Sequence, residues 1–227
     1  MFKSIALISM LVASISATPT PVESAVLAPR VAYKQFTGDG SKAAGWPVIA
    51  DWHTWDSLFK INSALMKTSC ANNGFGANNS PTEIANIGKA IQTVGKNNGV
   101  DPRFVLAVVM EESAGCVRVP TTVSPDGTVR NPGLLQDHNG TGTCANRNPC
   151  PASEITQMIK DGVHGTPSGD GLKQTVASSH EAGAQGFYAG ARKYNSGSVN
   201  LNDLSVAFGA NPNYASDIAN RLLGWTN

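Results

Sequence analysis

Glu111 and Glu112 end a run, Phe104-Val105-Leu106-Ala107-Val108-Val109-Met110, that contains no polar side chain. Asp101 ahead of Pro102 reads as an N-cap followed by proline at the first helical position, and Gly115 falls where a helix would end. A helix apolar on most of its circumference is buried on most of it. Two carboxylates in the last turn of such a helix are costly, because burial and the negative helix pole both disfavour their ionised form. A carboxyl group that keeps its proton near neutral pH is what a general acid needs to protonate a leaving oxygen. Helical spacing places Glu112 over Val109, Val108 and Val105, and Glu111 over Val108, Ala107 and Phe104. The spacing does not choose between them, and it fits equally a pair of surface glutamates where a helix emerges into water.

Other residues could join such an acid. Pro132-Gly133-Leu134-Leu135-Gln136-Asp137 reads as a turn, and Asp126 lies a little upstream. Lys193-Tyr194-Asn195-Ser196-Gly197 and Asn213-Tyr214-Ala215 precede a terminal helix. Asp137 fits a turn cap with Asn139-Gly140 as readily as a catalytic role, and Tyr194 fits a core position as well as a cleft. His53, His138, His164 and His180 lack ligand spacing. His138 sits beside the candidate turn, but a structural or solvent-facing role suits all four.

The elements that would position these groups can be read around the central helix. A first helix is expected over 54–68, and the capping box Ser80-Pro81-Thr82-Glu83 opens another that runs to about Asn97. The short link Asn98-Gly99 pairs that helix with the central one. Residues 117–150 are rich in Pro, Gly, Asn and Asp, which suits short strands or irregular turns carrying function. Helices are expected again over 152–161, over the Ala/Gly-rich 175–194 and over 214–223. Trp46, Trp52 and Trp55 lie in a Gly-rich segment that fits either a substrate-stacking surface or an aromatic arm packed on the core.

The chain has 227 residues, 41% hydrophobic and 15% charged, with a formal net charge of +1. That suits a single globular domain over 33–227, with 33–80 as an N-terminal extension. It leaves no electrostatic footprint for nucleic acid. Residues 1–17 read as a secretory signal peptide and 18–32 as a linker or propeptide, so a secreted, extracellular location is expected, with no membrane anchor. Four cysteines suit an oxidising compartment. Of three possible pairings, Cys144–Cys150 with Cys70–Cys116 is favoured; a Cys₄ zinc site is the alternative, disfavoured for want of a C-x-x-C pair. No metal or other cofactor is expected. Asn78-Asn79-Ser80 and Asn139-Gly140-Thr141 are glycosylation sequons.

Taken together and in order, Glu112-Ser113, Gly133-Leu134-Leu135-Gln136 and Tyr194-Asn195-Ser196-Gly197 resemble the lytic transglycosylase and goose-type lysozyme branch of the lysozyme superfamily. That branch has Glu-Ser at the end of a buried helix, a Gly-Leu-Met-Gln turn, and Tyr-Asn-x-Gly before a last helix. The resemblance spans about 84–223 and has the style of a secreted fungal member; Leu135 stands where Met is usual. It implies an α+β, mainly α, lysozyme-like fold. It implies a monomeric muramidase that cuts β-1,4 bonds of N-acetylated amino-sugar polymers, bacterial peptidoglycan first and chitin as its rival. Residue by residue, it makes Glu112 the general acid and Ser113 a hydroxyl that orients it or meets substrate. Gln136, Tyr194 and Asn195 become glycan contacts, and Asp137, with Asp126 second, the carboxylate that positions a water. An inverting hydrolase holds its two carboxyl groups about 6.5–9.5 Å apart. If neither aspartate is so placed, the resemblance implies attack by the sugar's own N-acetyl group and an anhydro product. A glycan-binding effector that has lost turnover is the alternative of another class.

Overall fold

The computed structural model describes residues 31–124 and 126–227. The signal peptide expected over 1–17 and the linker up to residue 30 lie outside the described residues. Helix α4 (Pro102–Ser113) is the axis of the core: every side chain from Phe104 to Met110 is buried. Asp101 caps it by accepting from the Arg103 amide at 2.9 Å. Ala114 (φ 50°) and Gly115 (φ 67°) reverse the chain at its end. A β-carbon on Gly115 would meet the Met66 side chain at 2.7 Å, so glycine there answers both a backbone and a packing demand.

Around α4 stand α1 (Trp55–Met66), the single turn α2 (Ser69–Asn72), α3 (Pro81–Asn98), α5 (Ala152–His164), α6 (Leu172–Ala177), α7 (Gly183–Ser196) and α8 (Tyr214–Leu222). Helices α1, α3 and α8 pack on α4, α5 packs on α3, and α7 lies between α6 and α8. The molecule is therefore mainly helical. Its one sheet among the described residues pairs β1 (Thr122–Val123) antiparallel with β2 (Arg130–Asn131), Thr122 opposite Asn131. Among the described residues no helix is long and apolar enough to cross a membrane.

The capping box of α3 forms as its spacing predicts. Ser80 Oγ accepts from the Glu83 amide at 3.2 Å, while Glu83 Oε2 accepts from the Ser80 amide at 2.7 Å. Gly99 (φ 70°) closes the helix and the link to α4 is as short as expected. Cys70 is bonded to Cys116 and Cys144 to Cys150, the favoured pairing.

One expectation changes, and one left between two readings is resolved. Residues 175–194 do not form one helix. Ser178 and Ser179 turn their hydroxyls back to the carbonyls of Thr175 and Val176, and His180 takes a left-handed conformation, so α6 stops and α7 restarts at Gly183. The small residues still serve close approach, since a β-carbon on Gly190 would sit 2.6–2.9 Å from atoms of Val176. The tryptophan segment is an arm packed on the core. Trp46 and Trp52 are buried, and Trp52 Nε1 donates to the Tyr188 hydroxyl on α7 at 2.8 Å. Tyr33, Lys34 and Phe36 lace the same arm to Asp217, Asn220 and Ser216 of α8.

Candidate active site

The two glutamates that spacing left tied are separated by their partners. Glu111 receives the Arg221 guanidinium from α8 at 2.7 Å and is closed into an ion pair. Among the described residues Glu112 receives one donor, the Tyr214 hydroxyl, 2.5 Å from its Oε1. Its Oε2 has no hydrogen-bond partner among the described residues and is not sealed from solvent. Burial, opposed by the Tyr214 bond and reinforced by the Glu111 charge, pushes the Glu112 carboxyl up to about 7. A half-buried acid poised at that value, with one oxygen open, can give a proton and take one back.

Ser113 does not meet solvent. Its buried hydroxyl lies 2.9 Å from the carbonyls of Val109 and Leu134, donating to one or the other, and it accepts from the Gly115 amide at 3.2 Å. It therefore fastens the end of α4 to the 132–136 turn, and the expectation of a substrate contact gives way to a positioning role. The turn is held from its other side by Tyr194 of α7, whose hydroxyl donates to the Leu135 carbonyl at 2.8 Å. The close seat of Leu135 explains Gly162 on α5, where a β-carbon would fall 2.4 Å from the leucine side chain. Gln136 (φ 47°) ties the turn to the β-hairpin, donating to the carbonyls of Gly133 and Pro120 and accepting from Thr122 Oγ1.

Beside this assembly runs a polar groove of about 710 Å³. Gln136 and His138 form one wall, Tyr194 and Asn195 another, and Thr166 to Asp170 a third, with Lys193 at its edge. Glu112 does not line the groove. Tyr194, which does, has its phenol raised well above its ordinary value by burial first and then by the charges of Asp137 and Glu112.

Neither aspartate is placed as a water-positioning carboxylate. Asp126 is exposed at the tip of the hairpin, where its Oδ1 accepts from Ser124 Oγ, the Thr128 amide and Thr128 Oγ1, which holds it down at about 2. Its carboxylate serves its own turn. Asp137 is buried against Gly140, with neither side-chain oxygen in contact with solvent, and the amides of Asp137 and Gly140 beside its carboxyl only partly offset that burial. Burial, helped by the charge of Asp161, pushes it up to about 8, so near neutral pH it is a proton-bearing acid walled off from the groove. Asp161, by contrast, binds the amides of Thr141 and Gly142 at 2.7 and 2.9 Å.

Three side chains of the site carried no assigned role in the sequence. Tyr214 is the partner of Glu112; its stretch stood out, but a hydroxyl aimed across two helices leaves no local signature. Arg221 discriminates Glu111 from Glu112 from a helix turn more than a hundred residues away. Arg192, fully buried under the Tyr214 ring, has no carboxylate within salt-bridge distance among the described residues.

No family model and no curated protein matches this chain.

Proposed function

We propose that this protein is a secreted enzyme with a lysozyme-like fold that cleaves β-1,4 bonds of N-acetylated amino-sugar polymers, most readily bacterial peptidoglycan. The observation that carries the reading is the Glu112 carboxyl: raised to about 7 by burial, held at one oxygen by Tyr214, and within electrostatic reach of Tyr194 on the wall of a polar groove. A glycan strand lying in the groove and crossing Tyr194 brings a glycosidic oxygen to Glu112. Glu112 gives its proton to that oxygen as the C1–O bond breaks, so the leaving sugar departs as a neutral alcohol. The two disulfides suit action in an oxidising, extracellular setting.

The placement of the aspartates favours an anhydro-forming route over hydrolysis. With Asp137 sealed and neutral and Asp126 engaged in its own hairpin, neither of these aspartates is free to ready a water. The acetamido carbonyl oxygen of the sugar that bears C1 bonds to that carbon as the leaving oxygen departs, and a hydroxyl of the same C1-bearing sugar then displaces it intramolecularly. The hydroxyl proton returns to Glu112, which is an anion at that stage and is poised to accept it.

The test compares the parent with Glu112→Gln on purified peptidoglycan and on chitin oligomers, with mass analysis of the products. The expected result is release by the parent of fragments one water lighter than hydrolysed ones, and loss of that release in the variant. Equal release from both proteins removes Glu112 from the mechanism, and hydrated products overturn the anhydro route. Binding without release by the parent would instead identify a glycan-binding protein.

A further inference from the structure

We propose that the buried Arg192 locks the side chain of Asn195 so that its amide nitrogen faces the groove and reads the carbonyl oxygen of an N-acetyl group on the bound glycan. The inference rests on the glycan-cleaving reading above and names a specificity determinant within it. Asn195 sits in the last turn of α7, three residues after Arg192, and lines the groove. Its Oδ1 accepts a short hydrogen bond from Arg192 Nη2 and a second, at 3.3 Å, from the Asn211 amide. Both partners are obligate donors, so only the oxygen can face them. The nitrogen must then point the other way. It has no partner among the described residues and is not sealed from solvent.

The remaining polar contacts expected for a glycan are already engaged. Tyr194 donates to the Leu135 carbonyl, and Gln136 uses both ends of its amide on the turn and the hairpin. Asn195 alone of the three offers an uncommitted donor, and an amide carbonyl is the acceptor that separates an N-acetylated sugar from its deacetylated form.

The choice of asparagine is itself informative. Arg192 is fully buried, its Nη1 bonded to the Asn211 carbonyl at 2.6 Å and its Nε without a partner. An aspartate at 195 would accept the same two hydrogen bonds and neutralise a buried cation. The C-terminal pole of α7 disfavours an acid there, but more weakly than a desolvated guanidinium favours one. For stability alone aspartate is the better residue. Asparagine keeps the groove-facing donor.

Stability and recognition should therefore move in opposite directions in Asn195→Asp. The variant is made in the Glu112→Gln background so that ligands stay intact, and binding is measured by calorimetry on chitin oligomers and on their deacetylated counterparts. The expected result is a melting temperature equal to or above that of the Glu112→Gln parent. N-acetylated oligomers should bind about tenfold more weakly, as for a hydrogen bond lost and a carbonyl set against a carboxylate. The deacetylated oligomers, whose ammonium groups suit the new carboxylate, should bind no more weakly. Unchanged affinity for the N-acetylated ligand, or equal loss for both, overturns the proposal. So does a lowered melting temperature or failure to fold, since Arg192 would then not be satisfied by an acid. If the wild-type protein neither binds nor cleaves any of these glycans, the functional reading falls with it. If it cleaves them and Asn195→Asp binds as its parent does, only this inference falls.

Discussion

Glu83 and Glu112 are the same side chain buried at opposite poles of neighbouring helices. Glu83 lies in the first turn of α3, 2% exposed, and its carboxylate accepts from the Ser80 amide, the Cys150 amide and the Arg118 guanidinium at 2.6–2.7 Å. Burial alone would raise it, but those donors and the Arg118 charge outweigh burial and hold it below the ordinary carboxylate range. Glu112 lies in the last turn of α4 with one neutral donor, a like charge beside it, and a value near 7. Donor count and charge surroundings decide the protonation state, and the helix poles push the same way. One glutamate is built to stay an anion and hold three segments together. The other is left free to exchange a proton.

The contrast is broken most severely by removing each acid in turn. Glu112→Gln should lower the cleavage rate by roughly 10²–10⁴, the usual range for a general acid, while its melting temperature holds or rises because a costly buried carboxyl is gone. Glu83→Gln should behave in reverse. It leaves Arg118 buried with Nε and Nη1 already unpartnered, and breaking such a pair costs about 3–5 kcal/mol. Denaturant unfolding checks this, with the activity of the folded fraction unchanged. The pH signs are opposite too. Glu83, lowered on folding, contributes stability above its unfolded value of about 4.5 that is lost as pH falls through the folded one. Glu112, raised on folding, contributes stability below that value that is lost as pH rises towards 7.

The two regions were not equally legible in the sequence. The helix-opening half of the Glu83 node is local: serine, proline and glutamate at fixed offsets state the cap, and it forms over those residues. Its other half, Arg118, is brought in by the reversal of the chain after α4, and no spacing announces that. At Glu112 the helix, its cap and its glycine terminator were readable because each depends on residues a few positions apart. The assignment of a partner to each glutamate was not, since Arg221 and Tyr214 arrive from α8. Asp137 was the harder case. A turn aspartate beside Asn139-Gly140 reads as a cap, and the turn forms with the Gly140 amide beside the carboxyl, but the side chain is turned inward and sealed from solvent, which no local spacing announces. The break between α6 and α7 had a signal, Ser178-Ser179-His180, that the Ala/Gly-rich run after it outweighed.

Asp137 sharpens the comparison, because it is a buried acid beside a second carboxylate, Asp161, and does not line the groove. Its carboxyl is raised to about 8, so the folded protein keeps a proton that the unfolded chain releases near 4. Stability from this group is full below about pH 4 and is lost progressively as pH rises to 8. Asp137→Asn, which mimics the protonated form, should flatten that slope and raise stability at pH 8 by about 1–3 kcal/mol, read from denaturant midpoints across the pH range. Cleavage should persist in the variant. A loss as deep as that of Glu112→Gln would restore Asp137 to the chemistry and undo its assignment as a sealed structural acid.

The smallest expected effect is the most diagnostic of how Glu112 is set. Tyr214→Phe keeps the ring that lies over Arg192 and removes only the hydroxyl at Oε1. That bond favours the ionised carboxylate, so its loss leaves Glu112 protonated to higher pH. The alkaline limb of the pH–rate profile should move upward, with the rate at the optimum lowered about two- to tenfold and stability by about 1 kcal/mol. Were Glu112 held by a fuller set of donors, as Glu83 is, deleting one of them would move the limb less. A limb that moves ties the acid's protonation to the single hydroxyl that α8 supplies.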